Sequence, residues 1–172
     1  MAVLSEKQIR DGFNYFYRDE EHPKSVVEVS EYDGEDKLII NCTQLDEGYS
    51  AKDKKRIWLE WCDFLVNNPD TFTELMFCTR MPQDLFDAVC AQRRLKRLHI
   101  KWGVYPDISK LENLQALEYL SIGSGRSVAS IEPISKLANL VALSIENFQQ
   151  IDDYAPLANL KHLESLALEG DF

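Results

Sequence analysis

The sequence predicts an α/β solenoid: a curved parallel sheet backed by helical and then short-turn returns, opened by an N-terminal helix and hairpin cap. Three observations predict it. The phrase apolar-x-x-apolar-x-apolar occurs five times, as Phe72-Leu75-Phe77, Leu95-Leu98-Ile100, Leu117-Leu120-Ile122, Leu140-Leu143-Ile145 and Leu163-Leu166-Leu168. The starts lie 23, 22, 23 and 23 residues apart, and a near-constant period marks a repeat architecture. Within each phrase the last two apolar residues are two apart. That is strand spacing: both point to one face and the residue between them to the other. Between phrases, Ile131, Ile134 and Leu137, then Ile151, Tyr154 and Leu157, supply apolar groups for a return across the outer side. A unit this short cannot bury its apolar side alone, so neighbours stack and each adds one parallel strand. The five or so large aliphatics per repeat are worth roughly 1.5–3 kcal/mol apiece before entropy is charged.

From the start, Ser5-x-x-Gln8 reads as a capping box. The helix after it places Ile9, Phe13, Phe16 and Tyr17 on one face, and the run from Arg18 to Pro23 stops it. Val26, Val27 and Val29 form a strand, Asp33-Gly34 a turn, and Leu38 to Cys42 a second strand, expected as an antiparallel hairpin that closes the sheet's first edge. Ser50 caps a helix over roughly residues 51–67, with Ile57, Trp58, Trp61, Cys62 and Leu65 inward and Asn67-Asn68-Pro69 at its end. That helix serves as the outer return between strands at Leu38-x-Ile40 and Leu75-x-Phe77. A second return helix covers about residues 84–91, through Leu85, Phe86 and Val89. Right-handed strand-helix-strand connections follow. Residues 1–71 are thus an N-terminal α/β cap continuous with the repeats, and 72–172 the repeat region.

The runs Leu111-Glu-Asn-Leu114 and Leu157-Ala-Asn-Leu160, each followed by x-x-Leu-x-x-Leu-x-Leu/Ile, and Leu137-Ala-Asn-Leu140, followed by x-x-Leu-x-Ile, resemble leucine-rich repeats of the short bacterial, internalin-like type. The resemblance covers residues 95–172 closely and 72–94 loosely. It implies a non-catalytic protein-protein interaction module. One departure stands out: the family's turn asparagine, three residues past the last strand leucine, is replaced by Arg80, Gly103, Gly125, Phe148 and Asp171. The turns are therefore expected to be irregular, above all at Gly123-Ser124-Gly125-Arg126. The chain stops directly after the last strand, which points to a repeat region truncated at its C-terminal end, or to an edge covered in a dimer.

The formal net charge is −10, from 19 basic and 29 acidic residues. Residues 1–71 carry 9 basic and 16 acidic groups, and residues 72–172 carry 10 and 13. An acidic chain with no basic block is a poor nucleic-acid or anionic-membrane binder. Cys42, Cys62, Cys78 and Cys90 make no C-x-x-C pair and read as reduced core thiols, and the N-terminus has no apolar leader-like run, so a cytoplasmic location is expected. No cofactor is implied. The histidines His22, His99 and His162 lie too far apart in sequence to suggest a metal site.

On such a sheet the alternate residues face away from the core, on the concave side, which a solenoid is expected to leave bare. Arg97, His99, Lys101, Trp102 and Tyr119 fall together there, with Glu74 on one side and Ser121, Ser144 and Glu146 on the other. Arg, Trp and Tyr dominate binding energies at interfaces, so the face reads as a partner groove, basic-aromatic in the middle and acidic beyond. Arg97 and Lys101 as plain solvated charges, and Trp102 as a packed turn residue, are the competing readings. Cys78 and His99 on neighbouring strands invite a nucleophile-base reading, but no acid stands behind His99 and no oxyanion loop is present in the sequence. Alternative functions are a toxin-neutralising immunity-type binder, suggested by the acidity, or a targeting segment of a larger enzyme. A third is a purely structural repeat with no discrete site.

Overall fold

The computed structural model describes residues 2–11 and 22–170. The helix face at Phe13, Phe16 and Tyr17, the Glu20-Glu21 pair and the turn position Asp171 lie outside those residues, as does the side chain of Ile9. The elements in chain order are α1 (Glu6–Asp11), β1 (Lys24–Val26), β2 (Lys37–Ile40), α2 (Ala51–Asn67), β3 (Glu74–Phe77), β4 (Met81–Pro82) and α3 (Gln83–Val89). They continue with β5 (Arg97–Ile100), β6 (Gly103–Val104), β7 (Tyr119–Ile122), α4 (Glu132–Ser135), β8 (Ala142–Glu146) and β9 (Ser165–Glu169). Short 3-10 turns sit at Val29–Glu31, Ser109–Asn113 and Ala155–Asn159.

One seven-stranded sheet runs β1-β2-β3-β5-β7-β8-β9, and every pairing in it is parallel. The register follows the sequence phrase: Leu75, Leu98, Leu120, Leu143 and Leu166 are successive partners. A second device repeats with it. The carbonyls of Asp36, Thr73, Lys96, Glu118 and Val141 each accept two successive N–H groups from the start of the next strand. The repeat is therefore written in the backbone as well as in the leucines. The inward residues Leu98, Ile100, Leu120, Ile122, Leu143 and Ile145 are all within 1% of full burial. Parallel strands need crossovers, and here all of them pass over the outer side.

The first crossover differs from the expected hairpin. β1 pairs parallel with β2, Val26 opposite Ile40, so residues 27–36 cross the outer side as a small return of their own. The reason lies in what holds that segment. Trp61 of α2 donates its indole N–H to the Val27 carbonyl at 2.8 Å, and Tyr32 packs edge-on against Phe64 and Phe72. Glu31 accepts from the Val27 and Glu28 amides, both at 2.7 Å, winding a 3-10 turn where the strand would have continued.

The two long helical returns form as expected. Ser50 caps α2 by accepting the Asp53 N–H, and Ile57, Trp61 and Leu65 are fully buried beneath it. α3 packs beside α2 with Leu85, Phe86 and Val89 inward. Gln92 joins the two. It is wholly buried, accepts the Phe72 N–H at 3.1 Å, and donates to the carbonyls of Leu65 at 2.6 Å and Asn68 at 2.9 Å. The later returns are single turns, α4 being started by Pro133.

Without the family's asparagines, close packing holds the turns together. β4 and β6 form a two-stranded ribbon, Met81 opposite Gly103, and a Cβ at position 103 would lie 2.2 Å from the Met81 carbonyl oxygen. Tyr105, fully buried, stacks on Phe86 at 5.0 Å and donates its hydroxyl to the Gly123 carbonyl. The Phe148 ring fills the space that a side chain at Gly125 would need. The expected irregularity is thus a glycine-aromatic stack.

Candidate functional site

The concave face begins with the strand alternation. Arg97 and His99 of β5 are half-buried while Leu98 and Ile100 between them are sealed, and Ser121 of β7 and Ser144 of β8 repeat the pattern. His99 is paired across strands with Met76 on one side and Ser121 on the other. The guanidinium of Arg97 lies over the Tyr119 ring, 4.7 Å from its centroid, a cation–π stack that fixes both side chains.

The face is not bare, as expected of it. Leu4 is buried in a cluster with Tyr119, Val141 and Ala142. The N–H groups of Val3 and Leu4 each donate to the Glu164 carboxylate, at 2.7 Å. Those two donors hold the Glu164 carboxyl below its usual range. The chain's own start is therefore strapped across the N-terminal ends of β7, β8 and β9, and the capping box Ser5–Gln8 begins α1 directly after it. The physical cause is the apolar character of Tyr119, Val141 and Ala142 on a side that would otherwise meet water. Of the expected contact residues, Tyr119 is 8% exposed and Glu74 4% exposed, so neither is open to a partner in this arrangement.

The open part lies toward the C-terminal ends of the strands. Lys101 and Glu146 are exposed, with Ser121 and Ser144 partly open beneath them. Trp102 is carried past the end of β5 into a cleft of about 650 Å³ that it shares with Val104, Ser124 and Arg126. Val104, 47% exposed, and Arg126 were not singled out by the repeat pattern, because the two-residue β6 and the turn at Arg126 are too short to show a period. The positive φ of Ser124, 50°, is what turns that segment outward.

The nucleophile-base reading of Cys78 and His99 loses support. Residue 78 continues β3 opposite Lys101, one row beyond His99. Burial raises the Cys78 thiol, with Lys101 offsetting only part of that rise. Burial, and secondarily Lys101, lowers His99 to about 4. Both groups are neutral near pH 7, the opposite of an activated thiolate-imidazolium pair. Cys42 and Cys62 are pushed up to about 12, again chiefly by burial, and all four cysteines are free thiols. Among the described residues no cluster of three His, Cys, Asp or Glu could hold a metal, and no helix is long and apolar enough to cross a membrane.

No protein-family model matches the chain, and no curated protein does. Solved structures do. An internalin (inlF) from Listeria monocytogenes superposes with a TM-score of 0.58 over 86% of this chain at 19% identity. This chain spans 45% of that structure's length. A second internalin from the same species, internalin C2, matches 77% of this chain and 70% of its own at 20% identity, with a looser TM-score of 0.39. With the in-register leucines, the one-sided crossovers and the parallel sheet, the first likeness shows that this chain has the leucine-rich-repeat fold.

Proposed function

We propose that the chain is a non-catalytic protein-binding module that works by surface complementarity. Its contact surface would be the open C-terminal half of the concave face together with the adjoining turn cleft: Lys101, Trp102, Val104, Arg126, Ser144 and Glu146. The observation that carries this reading is the juxtaposition of the half-buried Trp102 and the exposed Val104 in one cleft with charges of both signs beside it. Such a surface has the make-up of an anchor ringed by polar contacts. Arg97, His99, Ser121 and Tyr119 act from beneath, as the packed layer that fixes its shape. The neutral state of Cys78 and His99 supports binding without chemistry. The net charge of −10 favours a protein over a nucleic acid as partner, and four free thiols suit a reducing, cytoplasmic setting.

The test is affinity capture from the source organism's lysate, read by mass spectrometry. Wild type runs beside Lys101→Glu/Trp102→Ala and beside Glu112→Lys on the outer side. A partner held by wild type and Glu112→Lys but lost by the folded double variant is the expected result. A partner held equally by all three would place binding elsewhere.

A further inference from the structure

A second cleft lies at the other end of the sheet, where β2 and β3 end and α2 begins. It measures about 630 Å³, within the range of ligand pockets, and its floor is apolar: Cys42, Leu45, Trp58 and Pro82. Its rim carries Lys54 and Lys55 from the second turn of α2 and Arg80 from the turn after β3. Among the described residues none of these three cations is in an ion pair, whereas Lys24, Arg56, Arg93, Lys96, Lys110 and Lys136 each are. In a chain of net charge −10, three unpaired cations converging on one apolar floor run against the composition.

The remaining polar group points the same way. Gln44, held at a φ of 54°, spends its Oε1 on the Arg80 N–H at 2.9 Å, and Thr43 ties the same turn by donating to the Arg80 carbonyl at 2.6 Å. The Gln44 amide nitrogen keeps its donors. Apart from the Thr43 hydroxyl, which lies between Thr79 and the Arg80 carbonyl, the open side-chain polar groups here are donors, so the complement is an acceptor-rich, negatively charged ligand with an apolar body. Of the acids nearby, Asp46 Oδ1 accepts the Gly48 N–H and Asp53 pairs with Ser50 and Arg56, while Asp84, whose charge reaches Cys42 and Cys62, is outnumbered by the three rim cations.

We propose that this cleft docks an acidic segment of a protein partner, one that sets an aliphatic or aromatic side chain on Trp58 between carboxylates that meet Lys54, Lys55 and Arg80. A nucleic acid is the poorer fit, since beyond the three rim cations it would meet an acidic surface. The site is independent of the concave surface and stands or falls separately.

The experiment is selection of a random heptapeptide library on the immobilised full-length chain, followed by anisotropy titration of the most enriched peptide made synthetically. The expected peptides carry Asp or Glu beside an aliphatic or aromatic residue. Lys54→Glu/Arg80→Glu should weaken the synthetic peptide roughly tenfold or more, as loss of charge-assisted contacts requires. Lys101→Glu on the concave face should not. All three positions are solvent-accessible, and unchanged near-ultraviolet circular dichroism checks that the variants fold. Enrichment of basic peptides, no enrichment at all, equal affinity in the double variant, or displacement by an equimolar short single-stranded oligonucleotide would overturn the proposal.

Discussion

Gln92→Ala tests whether the N-terminal third and the repeats share one core. The Gln92 side chain is the polar joint between the end of α2, the loop after it and the start of β3. Its removal forfeits three hydrogen bonds worth about 1 kcal/mol each and strands the buried Phe72 amide, so the cost should be about 3–5 kcal/mol. Against a total of roughly 5–15 kcal/mol that is a large fraction. With a urea slope of about 2 kcal/mol/M the midpoint should fall by about 2 M. The assay is a urea titration in a Trp102→Phe background, followed by fluorescence, which Trp58 and Trp61 of α2 then report, and in parallel by far-ultraviolet circular dichroism, which reports the whole chain. Gln92→Met keeps the volume and loses the bonds, so it should retain most of the loss. A cost below about 1 kcal/mol in both variants, or separated fluorescence and dichroism transitions in the background itself, would refute the reasoning, since either would mean that α2 unfolds apart from the repeats.

Four further outcomes are expected. Tyr105→Phe removes a buried hydroxyl that donates to the Gly123 carbonyl and should cost about 1–2 kcal/mol in thermal or urea unfolding. Burial raises the Tyr105 pKa above 10.0, so wild-type stability should decline as pH rises beyond 10, and the variant should show a shallower decline. Gly125→Ala drives a methyl into the Phe148 ring and should lower stability by about 1–3 kcal/mol, with Phe148→Leu partly restoring the double variant. The Glu164 carboxyl, held below 4.5 by the Leu4 and Val3 amides, stabilises the strap above that pH and loses hold as pH falls through its folded value. Measured against the intrinsic rate at each pH, the protection of those two amides from hydrogen exchange should therefore fall in acid in wild type, and already be low at neutral pH in Glu164→Gln. By nuclear magnetic resonance His99 should titrate near 4, and a value at or above 6.5 would mean that this part of the face is open to water.

Much of this was legible in the sequence because the two signals that carry it are local. The apolar phrase set the register of β3, β5, β7, β8 and β9, and the alternation within it put Leu98 inside and Arg97 and His99 outside. The cap at Ser50 and the apolar face of α2 were equally local. What escaped was non-local. Nothing in Val26 to Gly34 reveals that Trp61, 34 residues away, will claim the Val27 carbonyl, so a parallel return read as a hairpin. Nothing near Leu4 shows that Glu164 will take two of the first amides, so a face shared with the chain's own start read as bare. The one hint was the apolar character of Tyr119, Val141 and Ala142 on the outward side. Trp102 was flagged for its type, but its neighbours Val104, in the two-residue β6, and Arg126, on a turn, sit in segments too short to show a period.

The central claim, that the open half of the concave face is a protein-binding surface, is tested most directly by hydrogen exchange on the captured complex against the free chain. Protection is expected to be confined to the ends of β5, β7 and β8 and the segment from Lys101 to Val104. Protection instead on the outer turns, Ser109–Asn113, Glu132–Ser135 and Ala155–Asn159, with the concave strands unchanged, would contradict it.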